Sequence, residues 1–288
     1  MVVDAHQHVW DLESGSYPWL GPQYGPINRT FTAAELVPQL AESGVDKTVL
    51  VQAADDATDT DRMLAVAEAN DWVAGVVGWV PLDQPAEAER QLEQRRTNAS
   101  FVGVRALIHE RPDPRWVLQP AVLDGLRVLA AQGVPFDLVA VLPEHLALVP
   151  ELCDSVPGLR IVIDHLAKPP IASKAMEPWA ELLRRAAGAS SDVYAKVSGL
   201  NTAAGPDGWS AAVLQPYVDH AVEVFGPDRL MFGGDWPVLL LAGTYAQVVE
   251  ATRQVVVAYG PDAARAILGD TAQRFYGLPA ASGVTADA

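Results

Sequence analysis

The stretch Met1-Val-Val-Asp-Ala-His-Gln-His-Val-Trp10 has the composition of a β-strand and carries two histidines two residues apart. Because side chains alternate across a strand, it predicts that Asp4, His6 and His8 project from one face. Two neighbouring imidazoles are costly to bury without partners, whereas a metal ion or a polar catalytic site satisfies their nitrogens. Taken alone, the motif favours two structural histidines, so its meaning depends on the rest of the chain.

Further strand-like segments follow, separated by amphipathic segments of helical length. The predicted strands are residues 47–53, 73–82, 101–108, 134–141, 160–166, 193–200 and 230–235. With the first stretch they make eight βα units, the number that a (β/α)8 barrel, or TIM barrel, requires. No linker or low-complexity segment divides the chain, so we predict a single α/β domain over residues 1–278 and a flexible tail over residues 279–288.

The composition limits the partners that this chain can have. It has 288 residues, of which 50% are hydrophobic, and a formal net charge of -16. Nucleic acids and anionic membranes need clustered Lys and Arg, so neither is expected as a partner, and a small molecule is. No apolar run is long enough to span a membrane and no signal peptide is recognisable, which predicts a cytoplasmic protein. The single cysteine, Cys153, excludes a cysteine-rich metal cluster, and the oligomeric state stays open.

Polar side chains accumulate at the predicted carboxyl ends of the strands, where TIM-barrel enzymes carry their active sites. Asp164 and His165 end the sixth strand, with His165 expected on the same face as Ile161 and Ile163, and Asp235 ends the eighth. The other polar residues near strand ends are Gln52, Arg105, Tyr194, Lys196 and Ser198. An ordinary ion pair or hydrogen bond explains any one of them, but jointly they predict an active site.

Seven motifs resemble the amidohydrolase superfamily, in the branch that contains sugar lactonases and pyrone-dicarboxylate lactonase. They are Asp-Ala-His-Gln-His-Val-Trp at 4–10, Tyr-Pro-Trp-Leu at 17–20, Val-Val-Gly-Trp-Val at 76–80, Val-Gly-Val-Arg at 102–105, Asp-His-Leu-Ala-Lys-Pro at 164–169, Lys-Val-Ser-Gly-Leu at 196–200 and Phe-Gly-Pro-Asp-Arg-Leu-Met-Phe-Gly-Gly-Asp-Trp-Pro-Val at 225–238. The chain departs from the branch at Gly234, where Ser is usual, and at Ala106, where His is common. The resemblance implies a hydrolase of carbohydrate catabolism that opens a small sugar-derived lactone of the aldonolactone type.

The resemblance also implies roles for individual residues. Asp235 would deprotonate the attacking water and return the proton to the leaving alkoxide, with His6, His8 and His165 around the carbonyl. The residues predicted to bind substrate are Arg105, Lys196, Gln52, Trp10, Trp79 and Trp236. A divalent metal, with zinc favoured, would be held by His6, His8, His165 and Asp235. A metal-free enzyme is equally consistent, because lactones are activated esters and the fifth strand offers no His.

Three alternatives stay open: a metal-dependent amidohydrolase or decarboxylase on the same barrel, a dicarboxylate lactonase, and a binding protein without catalysis. The missing fifth-strand His counts against the fully metal-dependent enzymes. A dicarboxylate would need several converging arginines, and only Arg105, Arg29 and Arg111 are candidates. The intact Asp235 and histidines count against a binding protein. The sequence therefore favours a neutral sugar lactone and does not name the sugar.

Overall fold

The computed structural model of the chain describes residues 1–279, so the predicted tail lies outside the described residues from position 280 onward. Eight parallel strands pair side by side in sequence order. They are β1 (Val3–Gln7), β2 (Lys47–Val51), β3 (Val73–Gly78), β4 (Phe101–Ala106), β5 (Phe136–Leu138), β6 (Ile161–Ile163), β7 (Val193–Val197) and β8 (Leu230–Phe232). A parallel bridge between Gln7 and Trp236 joins the two edges of the sheet. The prediction of a single (β/α)8 barrel is confirmed, while the domain boundary at residue 278 stays a prediction.

Helices surround the strands as an outer layer. In chain order they are α1 (Ala33–Glu42), α2 (Ala57–Ala69), α3 (Pro85–Arg95), α4 (Pro120–Ala131), α5 (Pro143–Ala147), α6 (Val149–Ser155), α7 (Trp179–Ala189), α8 (Leu200–Ala204), α9 (Ala211–Phe225), α10 (Tyr245–Val257), α11 (Pro261–Arg265) and α12 (Thr271–Tyr276). Leu36 and Leu40 lie one turn apart on α1, so both face the sheet and pack in one cluster with Leu50 of β2. Within residues 1–279, no helix has the length and apolar character needed to cross a membrane.

The strands end earlier than the sequence predicts on the side that carries the polar residues. β6 ends at Ile163 instead of residue 166, and β8 ends at Phe232 instead of residue 235. The four residues from His165 to Lys168 all have positive φ angles between 49° and 57°, and Asp235 has φ 62°. Residues other than glycine rarely adopt this conformation because it is strained, and such strained residues cluster at functional sites. The turn carries His165 away from the face of Ile161 and Ile163, so the prediction that the three share a face is wrong.

The alternation of side chains in β1 is also irregular. Its pairing with β2 shifts register between Asp4 and Gln7, which is the signature of a β-bulge. Ala5 packs in the barrel interior, while the Asp4 carboxylate accepts a hydrogen bond of 2.8 Å from Tyr245 of α10. His6 nevertheless turns inward, because the bulge places two successive residues on the inner side. The prediction that Asp4 shares a face with the two histidines is therefore wrong.

The C-terminal helix α12 packs against the amino end of the barrel. Its residues Ala272, Phe275 and Tyr276 join one apolar cluster with the inward-facing side chains of the strands. The strand residues of this cluster are Val3, Ala5, Val49, Val51, Val77, Val162 and Met231. The lower half of the barrel is thus filled with apolar side chains, and polar chemistry is confined to the carboxyl ends of the strands.

Candidate active site

Four of the residues that the sequence singles out meet at the carboxyl end of the barrel. His8 Nε2 lies 3.4 Å from Asp235 Oδ1, and His6 Nε2 lies 3.9 Å from the same oxygen. His165 Nδ1 lies 3.9 Å from Asp235 Oδ2. None of the four is more than 5% exposed. Closure of β8 onto β1 brings them together, since the Asp235 N–H donates to the His6 carbonyl over 2.8 Å.

His8 and His165 each use one ring nitrogen in a hydrogen bond, which leaves the other nitrogen for a ligand. His8 Nδ1 lies 2.7 Å from the Val51 carbonyl oxygen, which can only accept, so this nitrogen donates the hydrogen bond and Nε2 lies on the side of Asp235. His165 Nδ1 lies 2.9 Å from Ser198 Oγ. Partners of this kind fix the orientation of an imidazole and decide which nitrogen is available for chemistry.

His6 is held from three sides by charged groups. Its Nδ1 lies 3.1 Å from Lys196 Nζ and 3.2 Å from Asp164 Oδ1, and its Nε2 lies 3.2 Å from Arg105 Nη1. The Asp164 carboxylate also accepts a 3.0 Å hydrogen bond from Arg105. Burial opposes ionisation of Asp164, but Lys196, His6 and Arg105 outweigh it and hold the pKa of this carboxyl well below its usual range. Asp164 is therefore the counterion of the surrounding cations.

The carboxylate and the imidazoles of the central cluster have different charge states. Burial opposes ionisation of Asp235, but His165, the hydrogen bond of His8 and Lys168 outweigh it and lower the pKa of Asp235 to about 2. Burial lowers the pKa values of His6 and His165 well below the usual value for histidine. At neutral pH the cluster therefore combines the Asp235 carboxylate with neutral imidazoles at His6 and His165.

A cavity of about 230 Å³ opens above this cluster. Its lining residues are His8, Trp19, Tyr24, Ala53, Arg105, Leu107, His109, Glu110, Val139, Val141, His165, Lys168, Asp235 and Val238. Drug-sized ligands occupy cavities of roughly 300–1,000 Å³, so this one suits a smaller molecule. The wall is partly apolar, and its charged groups are two cations, Arg105 and Lys168, and two carboxylates, Asp235 and Glu110.

Lys168 lines the cavity although the sequence motifs predict no role for it. Its Nζ lies 3.3 Å from Thr202 Oγ1, and no carboxylate within residues 1–279 forms an ion pair with it. Burial lowers its pKa. The signal was present in the motif Asp-His-Leu-Ala-Lys-Pro, but an extended strand would have pointed Lys168 away from His165. The left-handed turn brings both residues to the cavity.

Of the six residues predicted to bind substrate, only Arg105 lines the cavity. Trp79 lines a neighbouring cleft of about 410 Å³. The other four are at most 1% exposed and lie behind the cavity wall: Lys196, Gln52, Trp10 and Trp236. Their surroundings explain this placement, since Lys196 pairs with carboxylates, Gln52 bonds Asp55 and a backbone carbonyl, and the two indoles pack edge-on against Phe31.

Of three further polar residues, His109, Arg111 and Arg29, only His109 lines the cavity. His109 lines the cavity rim, and burial lowers its pKa to about 4, so its imidazole is neutral. Arg111 lies in the neighbouring cleft and pairs with Asp55 over 2.7 Å, while Arg29 pairs with Glu35 over 2.8 Å. Neither of these arginines reaches the cavity. The aromatic part of its wall is supplied by Trp19, from the motif at 17–20, and by Tyr24.

The donor set fits a divalent metal ion. Ligand atoms of His6, His8 and Asp235 lie within 4.8 Å of one another, as do those of His6, Asp164 and His165. Asp235 Oδ2 is buried and accepts no hydrogen bond within the described residues. Two imidazole nitrogens and a carboxylate oxygen are the ligand types of a catalytic zinc site with one position left for water. The predicted ligand His165 belongs to the second group and not to the first.

The two departures from the resembling family have structural explanations. A Cβ at Gly234 would meet Asp4 Oδ2 and lie 2.7 Å from Tyr245 Cε2, so the hydrogen-bonded Asp4 and Tyr245 side chains occupy the space of a serine. The Gly234 N–H donates to Asp4 over 2.7 Å, directly before Asp235. Ala106 is buried in the core between the sheet and the helices. The second departure therefore lies outside the cavity wall.

Replacing Gly234 by Ser is expected to lower the free energy of unfolding by about 1–3 kcal/mol, because the added atoms crowd a packed, hydrogen-bonded site. Urea denaturation of the variant and the wild type measures the difference. Gly188→Ser in α7 is the matched control, since a Cβ there meets nothing within 4 Å and its stability should not fall. Equal stability of Gly234→Ser and the wild type would contradict the crowding.

In this parallel eight-stranded barrel His6 lies in β1 and His8 directly follows it, while a histidine follows β6 and an aspartate follows β8. The fold and these positions define a hydrolase with its active site at the carboxyl ends of the strands. The chain belongs to the amidohydrolase family, which it matches over residues 3–278. The resemblance noted from the sequence is thereby confirmed.

Relatives of this chain cover it almost completely. It is 37% identical over 285 residues to an L-fucono-1,5-lactonase of Burkholderia ambifaria, covering 98% of this chain and 97% of that relative. A solved amidohydrolase of Burkholderia multivorans with bound Zn is 33% identical, has a TM-score of 0.88 and covers 97% of this chain and 100% of its own. A probable 2-pyrone-4,6-dicarboxylic acid hydrolase of Acinetobacter baumannii, 20% identical with a TM-score of 0.75 and coverages of 96% and 99%, shares the fold.

Proposed function

We propose that this protein hydrolyses the ring ester of a small, neutral, sugar-derived lactone and that Asp235 activates the attacking water. The observation that carries this proposal is one ionised carboxylate, Asp235, beside histidine side chains and two cations in a single cavity of about 230 Å³. Family membership and the lactonase relative support a hydrolase of cyclic esters. We keep the cytoplasm as its predicted location.

The charge of the cavity favours a neutral lactone over a dicarboxylate. Arg105 and Lys168 supply two positive charges, and Asp235 and Glu110 supply two negative ones, so the lining carries no excess positive charge. The Arg105 guanidinium is moreover paired with Asp164 over 3.0 Å. Recognition of two carboxylates normally uses several converging arginines. Hydroxyl groups, by contrast, can bond to the mixture of carboxylates, imidazoles and cations present here.

Asp235 serves as the proton carrier of the proposed reaction. As water attacks the lactone carbonyl, the water oxygen bonds to the carbonyl carbon and one water proton passes to Asp235. The C–O bond of the ring then breaks, its electron pair goes to the ring oxygen, and Asp235 returns the proton to that oxygen. The products are one hydroxyl group and one carboxylic acid, and Asp235 is again a carboxylate.

Negative charge develops on the carbonyl oxygen when water attacks, and the cavity places cations where they can stabilise it. Lys168 supplies an ammonium group that no carboxylate of residues 1–279 pairs with, and Arg105 supplies a guanidinium. His8 and His165 orient the carbonyl and the attacking water through their available nitrogens. A zinc ion held by His6, His8 and Asp235 would polarise the carbonyl and lower the pKa of bound water to about 7.

If zinc is part of the active enzyme, dialysis against a chelator should abolish activity and added Zn²⁺ should restore it. Metal analysis by mass spectrometry should then find zinc in the wild type and its loss in His8→Ala, because His8 supplies one of three ligands. His220→Ala should keep the metal, since His220 bonds the Ala180 carbonyl of the outer layer over 2.8 Å. Full activity of verified zinc-free protein would contradict the zinc requirement and leave the lactonase proposal intact.

The function is tested with a panel of lactones. Neutral aldonolactones, with L-fucono-1,5-lactone first, should be opened far above their spontaneous rate, as followed by acid release in a weakly buffered indicator solution. 2-Pyrone-4,6-dicarboxylate and an aromatic carboxylic acid represent the dicarboxylate lactonases and the decarboxylases. Turnover of either with no turnover of a neutral lactone would overturn the proposal in favour of that alternative.

A further inference from the structure

A set of buried charged groups lies beneath the cavity and ends at His6. Lys196 Nζ lies 2.5 Å from Asp137 Oδ2, 3.1 Å from Asp164 Oδ1 and 3.1 Å from His6 Nδ1. All four side chains are fully buried. Lys196 therefore connects the carboxylate of β5 to the imidazole of β1 across the inside of the barrel.

The other end of this chain of contacts is in the C-terminal helix. Tyr276 of α12 donates its hydroxyl proton to the Asp137 carboxylate, with its oxygen 2.9 Å from Oδ1 and 2.8 Å from Oδ2. Its ring packs among the apolar side chains of the barrel interior, and Lys196 Nζ lies 5.6 Å from the ring centroid. The contacts thus run from Tyr276 through Asp137 and Lys196 to His6.

Stability alone gives little reason for such a network. Removing two charges from water is costly, and apolar residues of similar volume often fill the same space with equal or greater stability. The amino end of the barrel is otherwise closed by apolar packing, so nothing there requires an ion pair. His6, however, needs a fixed ring orientation, and the groups at its Nδ1 set which way its Nε2 points.

We propose that Tyr276 is a positioning residue for hydrolysis, which acts through Asp137 and Lys196 to orient the His6 imidazole. In this arrangement the Tyr276 hydroxyl fixes the rotation of the Asp137 carboxylate. Asp137 fixes the position of the Lys196 ammonium group, and that group fixes His6. The C-terminal helix is then part of the functional site, although it lies at the opposite end of the barrel. The inference rests on the proposed lactone hydrolysis for its kinetic test only.

Tyr276→Phe removes the hydroxyl and keeps the ring that packs in the barrel. We expect kcat to fall about 10- to 100-fold, the usual range for groups that orient a site residue, while KM changes little. Tyr17→Phe is the matched control, because Tyr17 is also buried and donates to a carboxylate, that of Asp59, over 2.7 Å. Tyr17→Phe also loses the hydrogen bond that Arg62 donates to the Tyr17 hydroxyl over 2.8 Å, so it is at least as disruptive, but only Tyr276→Phe should slow turnover. An unchanged kcat in folded Tyr276→Phe, or the same loss in both, would overturn the proposal.

A double-mutant cycle separates action through Asp137 from an independent effect. If Tyr276 acts only by holding Asp137, then adding Tyr276→Phe to Asp137→Asn should cause no further loss of kcat. Losses that multiply would show that Tyr276 acts by another route and would contradict the proposed order of contacts.

A spectroscopic measurement on the substrate-free protein tests the positioning without any activity. With 15N-labelled histidine, the ring nitrogen shifts of His6 should change in Tyr276→Phe and stay unchanged in Tyr17→Phe, at equal measured zinc content. Unchanged His6 shifts in Tyr276→Phe would overturn the inference even if the protein opens lactones. Changed shifts in a protein that opens no lactone would refute the proposed function alone.

Discussion

Replacing Asp235 by Asn is expected to lower kcat about 10²- to 10⁴-fold or more, while the protein stays folded. The amide has nearly the same shape as the carboxylate, but it cannot take a proton from water, and in the proposed reaction one group serves both the attack and the ring opening. KM should change much less, because the side chain acts on the proton and binds little of the substrate. The measurement is kcat on the best neutral lactone, with circular dichroism as the control for folding.

Metal content has to be measured beside the kinetics of Asp235→Asn, because Asp235 also belongs to the group of possible zinc ligands. If the Asp235→Asn variant regains the wild-type kcat when zinc is added, then Asp235 serves in metal binding and is not the proton carrier. A folded variant that keeps more than about a tenth of the wild-type kcat, far above the range for such groups, would refute the role. His165 would then be the next candidate for the base.

Lys168→Met should lower kcat about 10²- to 10³-fold, the usual cost of removing one group that stabilises a developing oxyanion. The reason is electrostatic: Lys168 is a cavity cation without a carboxylate partner in the described residues, whereas Arg105 is neutralised by Asp164. Met keeps the length and the apolar part of the side chain, so packing and the left-handed backbone conformation should be preserved. Steady-state kinetics on the same lactone measures the effect.

Lys174→Met is the matched control for this variant. Lys174 lies in the same connection after β6, also has a positive φ of 55°, and is exposed to solvent. Its replacement removes the same charge from the same part of the protein, so kcat and KM should remain at wild-type values. Equal losses of kcat in both variants would mean that Lys168 acts through the overall electrostatic potential of the protein and not by contact with the substrate. Full activity of Lys168→Met would exclude it from the reaction.

The barrel could be predicted because its signals are local. The alternation of apolar strand-like runs with amphipathic segments is a property of neighbouring residues, and all eight predicted strands are present. The predicted strands extend beyond the observed carboxyl ends, as at residues 164–166, because positive φ angles in non-glycine residues leave no mark in the sequence. Tyr276 lies in α12, beyond the last predicted strand, and belongs to none of the seven motifs.

The sequence by itself determined the fold class and the chemical groups at the strand ends, since periodicity and residue identity do not depend on distant contacts. Only the tertiary structure decided which of those groups reach the cavity. The sequence predicts Lys196, and not Lys168, as a substrate-binding cation. In the structure Lys196 pairs with Asp137, 59 residues away, while a left-handed turn brings Lys168 to the cavity. The same holds for Asp4, which a bulge turns toward Tyr245, 241 residues away. The physical reason is that a buried charge is stable only beside a counterion, and closure of the barrel brings that counterion from a residue far away in the chain.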